Sequence, residues 1–355
     1  MYFCENFKYF YMKNVSLFSL ILLLLLSCTP SSASKKTSID TKKTRNISTD
    51  NSKKKIGASN TYEKLLAKSF RYANFLNFDL AYIRRKGLPD KKYFAEFLGI
   101  YLKFQKAGLD KKIIHKRLLP FYEKTLKPNF HNMAKVNDKL FKKNSMSYMR
   151  IMWLLKELDF DISYYQKEFS KIKKRMDKHL AVRGEWQKVV FDKYYDFFKL
   201  EKPAILKNAK NLKGPIATQQ KYNSYNRNKT YELTHFIFAA YDYGKKTSQS
   251  RFSMVDLVYL QKILPQLIKK FERKNNDDLV SELLTCQVLL GNVSSTSFKN
   301  SYIRILSRQN NDGSFGSYEK YRKKVGKDVE FRAYLHTTLV ATELFVEYNF
   351  RYAKN

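Results

Sequence analysis

From residue 61 onward, apolar residues return every three or four positions, and no stretch shows sustained two-residue alternation. That period predicts helices over 61–85, 90–106, 110–126, 133–143, 145–158, 163–180 and 185–200, and then over 231–243, 254–274, 277–290, 297–307 and 334–348. Punctuation agrees: Leu88-Pro89-Asp90 precedes one predicted helix, Gly108 follows it, and Lys202-Pro203 follows another. The fold class is therefore all-α, built from helical hairpins. Comparable helix starts fall near Tyr93, Ser145, Trp186, Glu232, Glu282 and Ala333, at spacings of 41 to 52 residues, each room for two helices and their turns. Six such hairpins make a closed α/α toroid, with an open α-solenoid as the alternative.

The first sixty residues break this pattern. Met12-Lys13-Asn14 is a short basic opening, and the apolar run Val15 to Leu26 is too short to span a bilayer as a helix. Leu25-Leu26-Ser27-Cys28 then places a small residue and a cysteine where cleavage would fall. These residues resemble the bacterial lipoprotein signal, which implies that 1–27 is a signal peptide and that Cys28 becomes the lipidated first residue of the mature chain. Thr29, rather than Asp, after that Cys points to the outer membrane where a cell has one. Residues 28–60 are rich in Ser, Thr, Lys and Asn and cannot bury enough surface to offset their ordering entropy, so they read as a flexible tether. The body divides into an N-terminal helical half, 61–205, and a C-terminal half, 206–355.

Charge narrows the partners. The chain of 355 residues carries 68 Lys plus Arg against 32 Asp plus Glu, a formal +36, and the excess persists after residue 61. Lipid headgroups or an anionic envelope polymer suit that balance. Nucleic acid is the usual first reading of such charge, but the export signal and the absence of any nucleic-acid-binding motif argue against it. Three Cys exclude a disulfide scaffold.

Gln309-Asn310-Asn311-Asp312-Gly313-Ser314-Phe315-Gly316 is a turn in which Asp312 can close an Asx-turn, Gly313 and Gly316 can take positive φ, and Phe315 can pin the loop to the core. It resembles the repeat turn of terpenoid cyclases and protein prenyltransferase β-subunits. Tyr334-Leu335-His336-Thr337-Thr338 is similar to the prenyltransferase segment that carries the zinc-binding histidine. The resemblance spans about 120 residues from Tyr231 on and implies an α/α toroid with zinc ligands at Cys286 and His336. The family's Asp, two residues before the Cys, is Leu284 here, so Glu282, Glu232 or His235 would have to supply the missing ligand. Prenyl transfer itself does not suit an exported chain.

The residues favour one cleft without the resemblance. His235, Cys286 and His336 stand 51 and 50 positions apart, near the starts of consecutive predicted inner helices. Glu232 shares a face with His235, and Glu282 shares one with Cys286. Glu232, His235, Cys286 and His336 could bind zinc; a buried apolar thiol and helix-opening histidines would explain them equally. His115, His131 and His179 lie in basic, polar stretches and read as solvated. Tyr225, Arg227 and Tyr231 could stack on and bind sugars, with a carboxylate or sulfate against Arg227. Three functions stay open: a metal-binding or catalytic cleft, binding or lyase-type cleavage of an anionic polysaccharide, and a non-catalytic envelope interaction.

Overall fold

The computed structural model describes residues 50–76, 84–85, 88–89, 91–249, 251–316 and 334–353, with side chains from residue 61. The leader 1–27, Cys28 and most of the 28–60 segment lie outside them. Lys54–Asn355 group by Cα proximity into one compact unit. The chain is all-α; its only ladder among the described residues pairs Arg84–Arg85 with Leu88–Pro89.

Helix α1 spans Asp50–Phe75, and α2 Lys91–Lys106, α3 Lys111–Thr125, α4 Asp138–Glu157, α5 Ser163–Ser170, α6 Lys173–Leu180 and α7 Glu185–Phe197 follow. The C-terminal half adds the short α8 Ala204–Lys207, then α9 Arg227–Ala240, α10 Met254–Glu272, α11 Asp277–Leu289, α12 Thr296–Leu306 and α13 His336–Tyr348.

Several boundaries differ from the periodicity, each for a local reason. The predicted helices 133–143 and 145–158 are one helix, because Asn137 caps it by accepting from Leu140 N and the intervening Asn144 and Ser145 are buried on the helix. The predicted 163–180 helix breaks between Ser170 and Lys173, where the Ile172 side chain is buried. Helix α9 starts before the predicted 231, since the Asn226 side chain accepts from Lys229 N and draws Arg227 into the first turn.

Helices α2, α4, α7, α9, α11 and α13 each pack on the next, and α13 packs back on α2, so the six form a closed circuit. They run parallel. At their starts Glu96 of α2 meets His336 of α13, and at their ends Lys103 and Lys106 meet Glu343 and Glu347. Two apolar clusters fill the wall. One joins α1 to α7, and the other joins α9 to α13. Helix α13 belongs to both, through Leu339 and the preceding Leu335 to the first and through Ala341, Leu344 and Phe345 to the second.

The glycine turn ties this closure to α1. Asp312 accepts from Ser314 N at 3.0 Å, Gly313 and Gly316 have φ of +93° and +126°, and Phe315 is buried, as the residue types predict. Gln309 Nε2 donates to the Leu65 carbonyl at 3.0 Å, and a Cβ on Gly313 would stand 1.9 Å from the Lys68 carbonyl oxygen. Only glycine lets the two backbones approach this closely.

Candidate metal centre

Four of the six helices of this circuit bring ionisable side chains together near their starts. Asp278 and Glu282 are one turn apart on α11, so their carboxylates share a face. Asn276 caps that helix by accepting from Leu279 N, which fixes the first turn on which Asp278 stands. His336 opens α13, and Glu96 lies in the second turn of α2.

His336 Nε2 is 3.2 Å from Asp278 Oδ1 and 3.6 Å from Glu282 Oε1, while its Nδ1 is 3.1 Å from Glu96 Oε1. The outer oxygens are held from behind by α9: the Tyr231 hydroxyl donates to Asp278 Oδ2, and the Thr234 hydroxyl donates to Glu282 Oε2. One oxygen of each carboxylate is thereby anchored and the other is aimed at the imidazole. Asp278 Oδ1, both Glu96 oxygens and His336 Nδ1 are buried, and beyond these contacts with one another and with Lys92 they have no hydrogen-bond partner among the described residues. Polar atoms buried in this way are costly unless charge satisfies them.

The electrostatics follow from this crowding. Burial works against a charge on His336, but the Asp278 and Glu96 carboxylates outweigh it and hold its pKa well above the ordinary value. Burial likewise opposes ionisation of Glu96 and Asp278, and His336 nevertheless draws both below the usual carboxylate range. Two cations stand at the rim: Lys92 Nζ is 3.4 Å from Glu96 Oε1, and Arg227 lies 4.0 Å from Asp278 Oδ2 over the Tyr231 ring.

The sequence-predicted residues divide. His336 is at the centre. His235 stands beside it, 4.0 Å from Glu282 Oε2, with the Trp186 ring at 4.8 Å. Its Nδ1 donates to the Tyr231 carbonyl at 2.7 Å, so in the neutral ring Nε2 is the basic nitrogen. Tyr231 and Arg227 are at the mouth. Tyr225 is elsewhere, buried and bonded to the Tyr259 hydroxyl at 2.9 Å. Glu232 points out to solvent. Cys286 is fully buried one turn below Glu282 and donates to the Thr234 carbonyl at 3.9 Å. Burial, then the Glu282 and Glu343 carboxylates, push its thiol well above the usual pKa.

Sequence reasoning missed Asp278 and Glu96. A signal for Asp278 existed in its i, i+4 spacing to Glu282, masked by pairing Glu282 with Cys286 in the other direction. Nothing marks Glu96, which reaches His336 only because the first and last inner helices pack together. His131, read as solvated, is buried instead: its Nε2 donates to the Thr125 carbonyl at 2.7 Å and its Nδ1 accepts from the Tyr148 hydroxyl at 2.8 Å. Burial lowers its pKa to about 4.

Residues 213–344 match a family described as a domain of unknown function (DUF6895). That span contains Asp278, Glu282 and His336 but not Glu96. No curated protein and no solved structure matches the chain.

Proposed function

We propose that this is a lipid-anchored envelope protein, tethered through Cys28, whose body is an α/α toroid and whose mouth binds a divalent cation, zinc first among them, for chemistry on an exported substrate. The closed circuit of six parallel helices supports the toroid over the open solenoid. The observation that carries the metal is the convergence of Asp278, Glu282 and His336, which offer one ligand atom each within 4.8 Å of one another. Ligands on one tetrahedral ion with bonds of 2.0–2.2 Å stand roughly 3.4 Å apart, and the two shortest separations here are 3.2 and 3.6 Å. Glu96 behind Nδ1, Tyr231 behind Asp278 and Thr234 behind Glu282 are the outer partners that orient metal ligands.

Three protein ligands leave a coordination position open, the arrangement of catalytic rather than structural sites. A bound ion would supply Lewis acidity and an activated water. In the protein itself, Glu96 holds the imidazole ring of His336, and His235, whose Nδ1 is taken by the Tyr231 carbonyl, presents Nε2 beside the cluster. Arg227 and Lys92 at the rim favour an anionic substrate such as an acidic polysaccharide. In a metal-free variant of this reading, His235 would do the proton abstraction of a lyase.

The test is metal content by plasma mass spectrometry of the purified protein and its variants. The proposal expects about one zinc per chain, lost in Asp278→Asn and in His336→Ala and kept in Cys286→Ser and Glu232→Gln. Absence of metal in folded protein after zinc loading would overturn it and leave a salt cluster around protonated His336.

A further inference from the structure

The outer helix α10 exposes apolar side chains where an outer helix would normally be polar. Met254, Val255 and Val258 are 74%, 65% and 60% exposed, and Tyr222 on the facing loop is 47% exposed. They line one groove together, with Lys221 and Lys262 and with no acidic residue. Other exposed large apolar residues, such as Leu119, Val182 and Ile303, lie on other helices or loops. Isolated apolar side chains on a surface need no explanation, but several on one groove do.

The groove is built, not frayed. Ser253 and Asp256 form a reciprocal cap that fixes the start of α10, so Met254 and Val255 are presented from a rigid first turn. The facing loop is fastened to the same helix. Lys270 Nζ donates to the carbonyls of Tyr222, at 3.2 Å, and Tyr225, at 2.7 Å, and the Tyr259 hydroxyl donates to the Gln220 carbonyl at 2.8 Å. Asp256, the nearest acid on the helix, is buried and engaged with Ser253 and Lys213.

Apolar side chains on a capped first turn, flanked by lysines with no acidic residue in the groove, on a chain of net charge +36, match the chemistry of one surface: the apolar side chains enter the headgroup boundary and the lysines meet anionic lipid. We infer that the start of α10 and the 219–223 loop form a docking face for an anionic lipid bilayer, orienting the body on the membrane. This rests neither on the metal centre nor on acylation of Cys28.

The experiment is vesicle flotation with the chain from Lys54 onward, which holds every packed residue of both apolar clusters and forms a compact unit by itself. Without the acylation segment, any binding belongs to the body. Binding is expected to vesicles containing phosphatidylglycerol and to be at least tenfold weaker to pure phosphatidylcholine. The triple variant Met254→Ser, Val255→Ser, Val258→Ser should lose at least tenfold in partition at unchanged helicity. Lys221→Gln and Lys262→Gln should each lose about fivefold, and Ile303→Ser should lose nothing. The inference fails if the body ignores anionic vesicles, or if the triple variant floats like the parent, which would reduce binding to unlocalised charge. It fails equally if the triple substitution abolishes self-association while vesicle binding is kept, since a second copy then covers the face.

Discussion

The interface between α2 and α13 buries charge at both ends, and the two ends are built differently. At the helix ends every carboxylate has a cation. Lys103 reaches Glu343 at 2.7 Å, and Lys106 reaches Glu347 at 2.6 Å, with Arg351 behind it at 3.4 Å. Burial opposes the charge on Lys103, but Glu343 and Glu347 overcome it and raise its pKa. At the helix starts the three carboxylates Glu96, Asp278 and Glu282 surround one imidazole. This interface thus carries at one end an ion-pair cluster in which each carboxylate has its own lysine, which fixes the register, and at the other three carboxylates that share one imidazole, with Lys92 and Arg227 at the rim. Several carboxylates gathered on one imidazole mark a candidate binding site; one-to-one pairing is the mark of structure.

The largest expected effect tests the paired end. Lys103→Met strands Glu343 in the interior, while Glu347 keeps Lys106 and Arg351, and should cost about 3–5 kcal/mol in urea unfolding. Adding Glu343→Leu should recover more than half of that loss. If Lys103→Met costs less than Asp278→Asn in metal-free protein, the contrast between the ends is wrong. Next comes the open end, where Asp278→Asn and His336→Ala should each weaken zinc binding by more than about 100-fold. Glu96→Gln, acting only through His336 Nδ1, should weaken it by about 10–100-fold in a calorimetric titration.

A smaller effect lies in the wall. His131 has a folded pKa lowered from 6.5 to about 4, so the folded state resists protonation. Its contribution to stability is complete above about 6.5 and is lost as pH falls towards about 4, where the unfolded chain takes up a proton first. Melting temperature should fall over that window in the parent and fall less in His131→Gln. The smallest effect is that of Cys286→Ser on zinc affinity, which should stay within about twofold because the thiol faces the Thr234 carbonyl; a large drop would return Cys286 to the ligand set.

What the sequence made legible was the architecture: the 3.6-residue period, the caps and the repeat length placed the starts of α2, α4, α7, α9, α11 and α13 to within several residues. The glycine turn was readable because Asp312, Gly313 and Phe315 each have one local job. The site was half legible. Equal spacing singled out His336 and Glu282, and the polar stretch before α9 singled out Tyr231 and Arg227 for sugar binding, but equal spacing also set Cys286 level with His336. His336 is the first residue of α13, so it sits level with the first turns of α11, at Asp278 and Glu282, and Cys286 lies a further turn down. Glu96 was illegible because its role depends on α2 packing against α13, across most of the chain, which no local pattern encodes.

The most direct test of the central claim is X-ray absorption at the zinc edge of the zinc-loaded protein. A first shell of nitrogen and oxygen near 2.0–2.2 Å with one imidazole, unchanged in Cys286→Ser, is the predicted result. A sulfur contribution near 2.3 Å would contradict the assignment to Asp278, Glu282 and His336 and place the metal a turn deeper, on Cys286.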